Sequence, residues 1–85
     1  MPLLFHASYL VEPHDHGWTI LFQGAPSGHY PSRREALRRA ARDASFCRHL
    51  GHDVSLCIRG TGGRVRTVRI PLWDDLQDRE PASAP

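Results

Sequence analysis

Six arginines fall within the run SRREALRRAARDASFCRHLG, residues 32–51. Arg34, Arg38 and Arg42 recur at every fourth position, the spacing of neighbours on one face of a helix. With Arg39 they form a row of guanidinium groups whose planar forks match phosphate oxygens. Phe46 falls on the same outer side and offers a ring for stacking on a base. Arg64, Arg66 and Arg69, in RVRTVRIPL, with Arg59 across the turn, make the basic surface continuous if that hairpin lies beside the helix end. The chemistry this pattern supports is electrostatic contact with phosphates, without base reading, and the partner it points to is DNA or RNA. The competing reading is a solvated helix face, with Arg64 and Arg66 guarding a sheet edge by charge.

Other reactive groups form no recognisable constellation. His14 and His16 flank Asp15 in EPHDHG, but a stable metal site needs three or four ligands in fixed geometry. His6, His29 and His52 lie elsewhere in the sequence. No metal site is assigned, and whether His14 and His16 take a metal stays open. RGTGGR is rich in glycine but is followed by neither Lys-Ser/Thr nor a helix, so it is a turn and not a phosphate loop. There is no G-x-S-x-G elbow and no pair of carboxylates placed for acid–base work. Cys47 and Cys57 make no C-x-x-C and are expected to be separated by the sheet, hence reduced thiols of a cytoplasmic protein. No catalytic residue, no cofactor and no enzymatic activity are expected.

Eighty-five residues make one domain. The net charge is only +2, and all eleven basic side chains are arginine, which a GC-rich genome would also produce. The distribution says more than the sum. Residues 33–69 hold ten arginines against Glu35, Asp43 and Asp53, whereas residues 74–80 hold four acids against Arg79. A basic body with an acidic tail suits a polyanion binder; it suits equally a chain whose tail screens its own arginines. The expected organisation is one domain over residues 1–73 and an acidic, disordered tail over 74–85. MPLLFHASYLV lacks a positive n-region, so no secretory leader is expected. No apolar run approaches the roughly 20 residues that span a bilayer, so no membrane partner is expected.

Two hairpins and a helix would position these groups. Leu3, Phe5, Ala7, Tyr9 and Val11 share one parity and Leu4, His6, Ser8 and Leu10 the other, as in a strand, and WTILFQ puts Trp18, Ile20 and Phe22 on one face of a second. GAPSGHYP reads as a loop. Ser32 is an N-cap with Glu35 three residues on, and Gly51 is a C-terminal stop. Leu37, Ala40, Ala41, Ala44 and Cys47 form the inward stripe between them. DVSLCIR and RVRTVRIPL supply a second hairpin across GTGG, with Val65 and Val68 out of phase, as a bulge would leave them. The expected fold is a two-layer α+β domain, β-β-α-β-β, with a four-stranded, mainly antiparallel sheet and one helix on one face. The other face would carry Leu4, Leu10, Leu21 and Cys57, a candidate interface for a homodimer or another protein. A half-wet sheet is the alternative.

The chain also resembles the bacterial family designated domain of unknown function 2188 (DUF2188). The residues that carry the likeness are Val11 and Pro13, Gly17 and Trp18, Tyr30, Ser32, Glu35, Ala36 and Gly63, across roughly residues 5–70. His16, Gly62 and the helix arginines depart from that family's pattern. The resemblance implies a β-β-α-β-β fold in a bacterial cytoplasmic protein and brings no catalytic residues.

Overall fold

The structure is a computed structural model and describes residues 5–76. The chain forms β1 (His6–His14), β2 (Gly17–Phe22), β3 (Ala25–Tyr30), α1 (Arg33–His49), β4 (Asp53–Arg59) and β5 (Val65–Thr67). One mixed sheet of five strands runs in the order β3-β2-β1-β4-β5, with α1 against one face. The α+β class is as expected, but the sheet has a fifth strand and a parallel pairing at its centre. β1 and β4 run parallel, with His6 opposite Asp53 and Val11 opposite Ile58. Parallel neighbours need a long crossover, and α1 supplies it.

The extra strand is β3, in the stretch that reads as a loop. Gln23 (φ 53°) and Gly24 (φ 84°) both lie in the left-handed region, as a two-residue hairpin turn requires. Asp15 (φ 49°) and His16 (φ 66°) make the same kind of turn between β1 and β2. Pro26 and Gly28 disguise β3, yet both are tolerated because it is an edge strand. The register slips between Trp18 and Ile20, and the Thr19 hydroxyl donates to the Gly28 carbonyl at 2.6 Å to close the irregularity. Gly17 opens β2. A Cβ there would lie 2.6 Å from the Tyr30 carbonyl oxygen and 2.7 Å from the His29 ring.

The helix begins and ends where its capping residues stand. Ser32 is extended and its hydroxyl accepts the Glu35 N–H at 3.2 Å. At the other end the His52 N–H donates to the Cys47 carbonyl and the Gly51 N–H to the Arg48 carbonyl, the paired bonds of a Schellman ending with Gly51 at φ 99°. Ala36, Ala40 and Ala44 are fully buried against Ala7, Tyr9, Val11, Ile20, Leu56 and Ile58. Leu37, Ala41 and Cys47 are only half-buried, at the margins of that contact. The inward stripe is thus rolled toward Ala36, because small residues four apart let the helix axis approach the sheet most closely.

β5 is short and shows no bulge. Val65 pairs with Arg59 and faces away from the helix, 47% exposed, while Val68 continues the pairing and packs on the core with Ile70. Residues 68–72 then pass beside α1, where the buried Ser45 hydroxyl donates to the Pro71 carbonyl at 2.8 Å. A helical turn follows at residues 73–76. The expected tail begins within this turn; its residues from 77 on, and Leu4 of the expected interface, lie outside the described residues. Among the described residues no helix is long and apolar enough to cross a membrane.

Candidate nucleic-acid interface

The arginine face of α1 is divided between two sides of the helix. Arg34, Arg38 and Arg48 line a groove of about 870 Å³ whose other wall is residues 68–72. Arg69 joins them from that wall, and Leu37, Ala41, Val68, Ile70 and Leu72 make the lining partly apolar. Four arginines thus line one open channel, with Asp75 the single acidic residue among its lining. Among the described residues none of the four forms an ion pair with a carboxylate.

The remaining sequence candidates are placed differently. Arg39 turns to the opposite side of α1, 3.6 Å from Asp43, beside a smaller hollow of about 420 Å³ lined by Tyr9, Phe22 and Tyr30. Arg42 lies with its guanidinium carbon 5.6 Å from the centre of the Trp73 ring. Phe46 is 43% exposed and packs on the same indole, ring centres 5.1 Å apart. Arg64 and Arg66 are exposed at the β5 edge. Arg66 pairs with Ile58 and so shares the helix side of the sheet with Val68, which lines the groove. The structure thus brings Arg34 and Arg38 together with Arg69 of the following segment and with Arg48, which was not among the sequence candidates. Arg48 was legible, since it lies four helical turns beyond Arg34. Arg69 was legible only as part of its strand; its place in the groove depends on the chain leaving β5 at Thr67.

The far face of the sheet carries the second candidate. Leu21 pairs with Leu10, Leu10 with Cys57, Leu21 with Pro26 and Cys57 with Thr67. These pairings form one row across all five strands. Leu10, Leu21 and Cys57 are half-buried by their neighbours. Polar groups flank the row: Arg59 Nε donates to Glu12 at 3.2 Å, and the His6 ring meets the Ser55 hydroxyl at 3.0 Å.

Cys47 and Cys57 are both free thiols, and Cys47 Sγ lies 3.3 Å from the Tyr9 hydroxyl. Burial first, then this contact, pushes the Tyr9 phenol above its ordinary range. Among the described residues His, Cys, Asp and Glu form no group of three placed to hold a metal ion, the loop of His14 and His16 included. Comparison with protein-family models, curated proteins and solved structures returned no match.

Proposed function

We propose that this protein is a small binding module for nucleic acid, holding phosphates in the groove between α1 and residues 68–72. The observation that carries the reading is the convergence of Arg34, Arg38, Arg48 and Arg69 on one channel with no carboxylate ion pair among the described residues. Guanidinium groups left unpaired on an open groove are suited to bidentate phosphate contact. The partly apolar lining gives room for sugar and base edges without a hydrogen-bond code, so the reading includes no sequence preference and no catalytic step. A bacterial cytoplasmic setting follows from the resemblance to the DUF2188 family.

The test is a salt series with labelled DNA and RNA. Four neutralised phosphates make affinity fall about a hundredfold between about 50 and 200 mM salt. Arg34→Ala with Arg38→Ala reduces the logarithmic salt slope by about 2. No binding at the lower salt removes the reading.

A second reading is favoured by the row Pro26–Leu21–Leu10–Cys57. An apolar line across four of the five strands, on the face turned away from α1, suits a second copy of the chain or another protein. Light scattering decides it. Self-association that Leu10→Glu abolishes supports the interface, and a monomer at high concentration counts against a homodimer.

A further inference from the structure

We infer that the turn at residues 73–76 is an internal competitor for the groove, displaced when a polyanion binds. The inference rests on the groove being the polyanion site. Leu72 and Asp75 line the same channel as the four arginines. Asp75 makes no direct ion pair with any of them, so its carboxylate lowers the local positive potential without being locked in place. Any incoming phosphate must either tolerate that charge or push it out.

The turn is built to move. A single helical turn cannot hold its own shape, since nucleation costs more than its few hydrogen bonds return. Those bonds run from the Asp75 and Leu76 N–H groups to the Leu72 carbonyl at 3.1 and 3.3 Å. Leu72 is 61% exposed, so little apolar surface holds the segment down. What seats it is Trp73, against Phe46 at 5.1 Å and His49 at 6.2 Å, with Arg42 over its ring. The seat matters because Arg42 and Phe46 belong to the outer helix face that lies nearest the groove arginines. With Trp73 in place Phe46 is partly covered; with Trp73 lifted, its ring is open for stacking beside the groove. Loss of the turn thus removes the Asp75 carboxylate from the groove and uncovers a stacking ring at once.

The experiment uses the full chain and a labelled mixed-sequence oligonucleotide at about 50 mM salt. Asp75→Asn, which keeps the turn and removes the charge, is expected to bind about fivefold tighter. Trp73 emission, isolated by subtracting the signal of Trp73→Phe, is expected to shift to the red as oligonucleotide saturates the protein. Unchanged affinity in Asp75→Asn together with unchanged Trp73 emission overturns the competitor, and if Arg34→Ala still weakens binding the groove reading stands alone. Failure of both the natural chain and Asp75→Asn to bind overturns the groove and the competitor together.

Discussion

The indole of Trp73 lies 5.1 Å from the ring of Phe46, inclined by 55°. The last described segment of the chain therefore crosses α1 on the side that faces away from the sheet. The ring in the arginine-rich helix that reads as solvent-facing is a docking point for that segment, and Arg42 completes the seat from the turn before.

Trp73→Ala is expected to lower stability by about 1–2 kcal/mol, since the aromatic pair and the guanidinium contact each contribute about 1 kcal/mol at partly exposed sites. Urea unfolding measures the loss. An unchanged midpoint would mean that the segment makes no net contribution to the fold.

Ser32→Ala removes the hydroxyl that accepts the Glu35 N–H. A cost of about 1 kcal/mol is expected, seen as earlier thermal unfolding. Ser32→Asp is expected to recover most of it, because aspartate caps as well as serine.

Gly17→Ala and Gly24→Ala separate space from backbone conformation. At Gly24 a methyl group has open space but a φ of 84°, so about 1 kcal/mol is lost to backbone strain. At Gly17 the methyl meets the Tyr30 carbonyl and the His29 ring, and about 2–3 kcal/mol is expected from overpacking. Equal effects in chemical denaturation would contradict the close approach of β3 to β2.

The Tyr9 phenol, raised by burial and then by Cys47, ties stability to alkaline pH. Its unfolded value is about 10. The stability linked to this proton is fully present below that pH and is lost as pH rises through the higher folded value. Tyr9→Phe has no such proton. It is expected to lose about 1 kcal/mol at neutral pH with the hydrogen bond, yet to decline less steeply above pH about 10. Unfolding free energies across that range, compared between the two proteins, test the difference.

Much of the fold was legible because its signals are local. Ser32 and Gly51 bracket α1, and the parity of Ala7, Tyr9 and Val11, of Ile20 and Phe22, and of Leu56 and Ile58 gives the buried side of three strands. β3 was hidden because Pro26 and Gly28 oppose strand formation by propensity, while its hairpin and edge position decide the outcome. The parallel pairing of β1 with β4 has no local signal, since it is set by how the crossover helix returns the chain. The groove is half legible for the same reason. Arg34, Arg38 and Arg48 follow from helical spacing, but Arg69, Asp75 and Trp73 reach the helix only through the path taken after β5.

The central place of β1 also sets the order in which the protein can assemble during synthesis. Its first partner, β2, follows at once, but its other edge waits for β4; the Glu12–Arg59 pair spans 47 positions. Until the crossover has left the ribosome, β1, β2 and β3 can form only a meander with one unshielded greasy side and an open rim. The helix, which packs on β1, β2 and β3 as well as β4, precedes β4 in the chain, so it can shield that side first, and zippering of β4 onto β1 and the seating of residues 68–72 come last.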